Sequence, residues 1–204
     1  MKKLILAGVT VAVIGIAGLV VFRSLSAQES AAESREVSKK TADILQTKVD
    51  HIQKTEASGN PSHPDISIDV SEAELESYVL YSLREKIPAQ VDSIHVQLTP
   101  GVVGAETQLT FNSNSTGNAM VDALIGGTHN LFVKGKLEGS GGRGKFDLQE
   151  VKVDGIPVPK VLIQTLVDKY VKPKYPDADL KEPFDLPWGI RSLDIQTAKA
   201  KVVY

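Results

Sequence analysis

Ile94-His95-Val96-Gln97-Leu98-Thr99-Pro100-Gly101-Val102-Val103 is the stretch that decides the fold of this chain. Ile94, Val96 and Leu98 alternate with polar residues, the period of a strand with one buried face, and Pro100-Gly101 turns the chain back. Val103, Ala105, Thr107, Leu109 and Phe111 keep the alternation on the return, so the pattern predicts a β-hairpin. Upstream, Ser71 and Glu74 spell a capping box, in which the serine side chain and the glutamate three residues later exchange hydrogen bonds with each other's backbone N–H. Leu75, Val79, Leu83 and Ile87 then recur every fourth residue, predicting a helix with one apolar stripe that Pro88 ends.

Downstream, Asn112 to Thr128 is rich in Asn, Ser and Gly around Met120, Val121, Leu124 and Ile125, a short helical segment at most. Alternation resumes with Leu131, Val133 and Leu137, crosses a glycine turn and returns through Phe146, Leu148, Val151 and Val153. The change of parity between Leu148 and Val151 predicts a bulge. Ile156-Pro157-Val158-Pro159 leads into a second helix, with a polar stripe of Lys160, Gln164, Asp168 and Lys172. Its other faces carry Val161, Leu162, Ile163, Leu166, Val167, Tyr170 and Val171, so it needs cover on more than one side. After a proline-rich connection from Pro173 to Pro187, Ile190, Leu193 and Ile195, then Ala200, Val202 and Tyr204, read as a last pair of strands. The order helix, strands, helix, strands predicts an α+β domain with a mostly antiparallel sheet packed on two amphipathic helices.

The amino end is of a different kind. Met1, Lys2 and Lys3 precede an apolar run from Leu4 to Phe22, interrupted only by Thr10 and closed by Arg23. At helical rise it spans roughly 28 Å, the thickness of a bilayer core. Residues 1–23 are expected to form a transmembrane anchor or uncleaved signal; Leu25 and Ala27 offer an imperfect cleavage site as the alternative. The lysines at its head keep the start in the cytoplasm, so the expected location is a bacterial inner membrane, single-pass, with the carboxyl-terminal domain exported to the periplasm or cell exterior. Residues 24–64 read as a polar stalk, weakly helical between about Glu33 and Lys54, where Val37, Ile44, Leu45, Val49 and Ile52 fall near helical spacing. Ser58-Gly59-Asn60-Pro61 and Pro64 mark the boundary of the domain at residues 65–204.

Composition narrows the function. Among 204 residues there is no cysteine, which excludes disulfides, thiolate metal sites, cysteine nucleophiles and a lipid-modified cysteine anchor. A net charge of −2 gains little from phosphate counterion release, and one Trp, five Tyr and five Phe give few stacking platforms, so no nucleic-acid partner is expected. Gly139, Gly141 and Gly144 fit G-x-G-x-x-G, but the loop runs into the strand 145–153 rather than a helix, which makes it a hairpin turn. His51, His63, His95 and His129 are scattered and form no H-E-x-x-H pair, so no metal and no cofactor is expected. His63-Pro64-Asp65 sits in a linker, and Asp177 with Asp179 in a proline-rich loop reads as solvated surface. Without a G-x-S-x-G elbow or another catalytic signature, the expectation is not an enzyme. Lys169, Lys172 and Lys174 beside Tyr170 and Tyr175 suit either a helix carboxyl end or anionic headgroups. Asn114-Ser115-Thr116 is a glycosylation sequon with meaning only in a eukaryotic secretory pathway.

The helix start Ser71-Glu72-Ala73-Glu74-Leu75, the strand and turn from Ile94 to Val103, Gly155-Ile156-Pro157-Val158-Pro159 and Phe184-Asp185-Leu186-Pro187 together resemble the TULIP-like lipid-binding superfamily, especially its small bacterial membrane-anchored envelope members. About two thirds of the chain is covered. The resemblance implies a long, strongly curved antiparallel sheet wrapping a helix, with an apolar groove for lipid acyl chains and no catalytic residue. Ligand-binding candidates are then Leu75, Val79, Leu83, Leu162, Leu166 and Tyr170, although core packing is the simpler role for each one taken singly. The expected function is a non-enzymatic envelope protein that binds or shields a lipid or other apolar ligand and holds to the membrane through residues 4–22. The alternative is a membrane-anchored scaffold for an envelope protein partner, with no small ligand.

Overall fold

The computed structural model describes residues 36–57, 65–84, 90–111, 127–166, 168 and 182–204. The expected membrane segment, the short helical segment of 112–126, Ile87, Pro88 and Tyr170 lie outside the described residues. Among the described residues, no helix is long and apolar enough to cross a membrane.

The chain is α+β with a mostly antiparallel sheet. Helix α1 (Lys39–Ala57) leads into β1 (Ser67–Ser71), and α2 (Glu72–Ser77) follows directly, continued by a π-helical turn (Tyr78–Ser82). Then come β2 (Gln90–Thr99), β3 (Val102–Phe111), β4 (Gly127–Ser140), β5 (Arg143–Val153), β6 (Ile156–Pro157), α3 (Lys160–Leu166), β7 (Phe184–Asp185), β8 (Ser192–Gln196) and β9 (Lys199–Val203). The strand order is β1-β9-β8-β4-β3-β2, with β5 on β4 and the short β6 and β7 on β5; every pairing is antiparallel.

The predicted hairpin is β2–β3, closed at Thr99↔Val102, and the glycine loop joins β4 to β5 as a second hairpin through Gly141 and Gly142. Beyond the end of β3, β4 meets β8 through the single pair Gly139↔Leu193. Glycine is required there, because a Cβ on residue 139 would lie 2.8 Å from Leu193 Cβ. The β2–β3 turn locks this junction: Gly101 N–H donates to Ile195 O at 2.9 Å and Leu137 N–H to Gly101 O at 3.1 Å.

The main core lies between α2 with its π turn and the inner face of the sheet. Val79 and Leu83 pack with Val91, Ile94, Val96 and Leu98 of β2, Val103 and Ala105 of β3, Leu137, Ile195 and Ala200. The capping box is formed as the sequence predicts: Glu74 N–H donates to Ser71 Oγ, and Ser71 N–H donates to a Glu74 carboxylate oxygen at 2.8 Å. The regular α stripe extends only to Ser77, after which Leu83 N–H donates to Tyr78 O, a bond to the fifth preceding residue.

Three glutamates of α2 are buried, and each has a backbone or cationic partner. Glu72 and Glu76 are one helical turn apart, roughly 6 Å of rise, while alternate residues of a strand are about 6.8 Å apart. The match lets Glu76 accept from Val96 N–H at 2.6 Å and Glu72 from Leu98 N–H at 2.7 Å. Edge strand β2 therefore has these outward amides satisfied by carboxylates, which blocks pairing with a foreign strand there. Glu74 also takes the Lys48 ammonium at 2.6 Å, and the same Nζ donates to Asp69 O on the opposite edge strand β1.

Lys48 belongs to the helix that the sequence places within the stalk. The helix expected within a polar stalk outside the domain is α1, and it lies on the domain. Ala42, Leu45 and Ile52 are buried, and Leu45 and Ile52 pack with Val70, Val202 and Tyr204, with Trp188 and Ile190 at the border. His51 Nδ1 and the Tyr204 hydroxyl are hydrogen-bonded at 2.7 Å, and burial raises the Tyr204 pKa. The segment looks polar because one apolar residue per turn is enough for a narrow docking stripe, and the remaining positions face water.

Candidate functional site

The expected ligand residues fall into separate groups. Val79 and Leu83 are buried in the main core, and Leu75 packs against both apolar clusters. Leu162 on α3 is 51% exposed and joins neither cluster. The side chain of Leu166, like the whole of Tyr170, lies outside the described residues.

A different set of apolar residues is incompletely covered. Beyond the main core, the inner face of β4 and β5 carries Leu131, Val133, Val151 and Val153, all half-buried, with Leu131 opposite Val153 and Val133 opposite Val151. Val133 packs on the edge of the core, whereas among the described residues Leu131, Val151 and Val153 join neither cluster. The bulge creates this strip. Gly135 pairs with Leu148 but Lys134 with Glu150, so the extra residue moves Val151 and Val153 onto the face shared by Leu148 and Phe146. The parity change was visible in the sequence; the half-burial of these four side chains was not.

One border of the strip is polar. His129 occupies the inner-face position opposite Leu109, and its Nδ1 lies 2.7 Å from Asp154 Oδ2. Asp154, at φ 51 in the β5–β6 turn, also accepts from Asn130 N–H at 2.8 Å, while its own N–H donates to Asn130 O at 2.7 Å. The hydrogen bond from His129 and that from Asn130 hold the Asp154 carboxyl below the usual carboxylate range. This arrangement fixes the turn and the imidazole ring together.

Past the turn, Ile156 and Pro157 pair with Val153 and Lys152, and Val158 N–H donates to Val151 O at 2.9 Å. Helix α3 starts where Pro159 O accepts from the N–H groups of Leu162 and Ile163. Ile156 is 70% exposed and Val161 80%. At the other end of β4 an open depression of about 270 Å³ is lined by Glu138, Gly139, Ser140, Arg143, Gly144, Lys145 and Pro183. Its charged lining suits water and ions rather than a hydrocarbon tail.

No protein-family model, no curated protein and no solved structure matches this chain. The functional reading therefore rests on its own residues. Among the described residues, no cluster of three His, Asp or Glu side chains could hold a metal ion. Their chemistry offers instead an aliphatic strip on a sheet face with a polar stop at His129–Asp154.

Proposed function

We propose that this chain is a non-enzymatic envelope protein, held to a bilayer by residues 4–22, whose exported domain binds or shields a lipid or similar apolar molecule between the sheet and the helix after β6. The observation that carries this reading is the half-buried strip Leu131, Val133, Val151 and Val153 beyond the edge of a well-packed core. Each methylene that leaves water on such a surface contributes about 0.8 kcal/mol, so an acyl chain laid along four aliphatic side chains gains several kcal/mol. Curvature of the sheet over the helices, as the TULIP-like resemblance implies, would deepen the strip into a groove. The residues in contact with ligand are then those of β4 and β5, while Leu75, Val79 and Leu83 belong to the core against which Val133 packs.

The test uses the full chain in phospholipid vesicles that contain a phospholipid with a photoactivatable diazirine at the end of one acyl chain. Peptides covering Leu131 and Val151–Val153 become labelled, and the variant Leu131→Asp/Val153→Asp loses that labelling while keeping its circular dichroism. Label confined to residues 4–22 refutes ligand binding, and a stable complex with another envelope protein would then point to a scaffold.

A further inference from the structure

Large apolar side chains exposed singly are ordinary on a protein surface, but three of them within seven residues are not. Ile156, Val161 and Leu162 are 70%, 80% and 51% exposed, on the short unit formed by β6 and the start of α3. Lys160 is exposed between them. In sequence, residues 156–174 carry four lysines, Lys160, Lys169, Lys172 and Lys174, against the single acid Asp168, within a chain of net charge −2. An aliphatic segment flanked in sequence by lysines is the composition that settles at a water–lipid boundary, where the apolar side chains enter the acyl region and the ammonium groups reach back to headgroup phosphates.

The position of α1 adds a constraint on distance. Because α1 packs on the domain, the chain between the expected membrane segment and the domain shrinks to residues 23–38. Sixteen residue steps from Phe22 to Ser38 reach at most about 58 Å even when fully extended. A domain of this size is roughly 40 Å across, so every face of it can touch the bilayer and none can move far away.

We propose that the β6–α3 tip, through Ile156, Val161, Leu162 and Lys160, docks on the anionic headgroup surface of the same bilayer that holds residues 4–22. The inference rests on the tether in the reading above and adds the face by which the domain meets the membrane. Docking there turns the end of β5 with Val151 and Val153 toward the lipid, because β6 is hydrogen-bonded to Val153 and Lys152. Lipid then has a short path from the bilayer to the strip.

The absence of cysteine makes a single labelled position straightforward. The full chain carrying Val161→Cys with an environment-sensitive dye is placed in vesicles of phosphatidylcholine alone, or with about 30 mol % phosphatidylglycerol; Lys134→Cys, exposed on the outer face of β4, is the control. On the anionic vesicles, aqueous iodide quenching at residue 161 falls about fivefold and lipid-borne quenchers become effective, whereas residue 134 stays accessible. With the dye at Ile156→Cys, the variant Val161→Asp/Leu162→Asp abolishes that shielding. Failure of the chain to float with vesicles overturns both the tether and the docking. Flotation with residue 161 still open to iodide overturns the docking alone. Equal shielding on neutral vesicles overturns the anionic preference, and shielding in detergent with a doubled mass overturns docking in favour of a second copy.

Discussion

Glu76→Ala removes the acceptor of the Val96 N–H, and the consequence can be worked from the geometry. Glu76 is 2% exposed and Val96 0%, so water does not readily replace the carboxylate at 2.6 Å. A charge-assisted hydrogen bond of this kind contributes about 1.5–3 kcal/mol, and the stranded N–H adds a similar penalty. Part of this loss is offset because the variant no longer has to bury a carboxylate. The expected net loss is about 2 kcal/mol. Glu76→Gln keeps the oxygen that faces both the Val96 N–H and, at 3.0 Å, His95 Nδ1, and gives up only the charge, so it should cost about half as much. Urea denaturation of the full chain reads the difference, with the slope required to stay constant. Hydrogen exchange adds a local readout: the Val96 amide should lose protection selectively in the alanine variant, and freed of its carboxylate the β2 edge should favour self-association at high concentration. A Glu76→Ala midpoint within about 0.5 kcal/mol of the parent, with Val96 still protected, would refute the account of α2 as the cover of this edge.

Three further outcomes follow from other elements. Leu45→Ala and Ile52→Ala should each cost about 2–4 kcal/mol in denaturant unfolding, whereas a stalk lying free of the domain would leave the midpoint unchanged. Gly135→Ala drives a Cβ into the Phe146 ring and should destabilise by about 1–3 kcal/mol, with Phe146→Leu rescuing part of the loss in a double-mutant cycle. Asp154, Asp69 and Asp92 titrate below their ordinary value, held there first by hydrogen bonds from His129, Lys199 and Thr110 respectively. Their stabilisation is complete above that ordinary value, near pH 4, and is lost as pH falls through the lowered folded values. Asp154→Asn, which tolerates the positive φ, should therefore flatten the stability profile below about pH 4; acid limbs that superimpose for parent and variant would contradict this.

Much of this fold is written in local patterns of the sequence. The hairpin at Pro100-Gly101, the glycine turn, the bulge after Leu148 and the capping box all depend on neighbouring residues, and all are present. The boundary of the domain was less legible: α1 carries too little apolar surface to announce burial, and only its partners Val70, Val202 and Tyr204, far along the chain, show where that surface goes. The expected ligand residues show the same division. Leu75, Val79 and Leu83 form a sound helical stripe, but a stripe has the same period whether a sheet or a ligand covers it.

By itself the sequence determined the long strands, the helix at the capping box, most turns, the sheet's alternating faces and the contrast between an apolar amino end and a mixed domain, because each is written in spacing over a few residues; the edge strand Ser67–Ser71 and the π-helical turn were not legible there. Tertiary structure decided where the apolar surfaces go: that α2 carboxylates close the β2 edge, that α1 joins the domain, and that among the described residues Leu131, Val151 and Val153 join neither core cluster. The reason is physical. Burial depends on which distant segments meet across the fold, and that meeting is a property of the whole packing rather than of any local period.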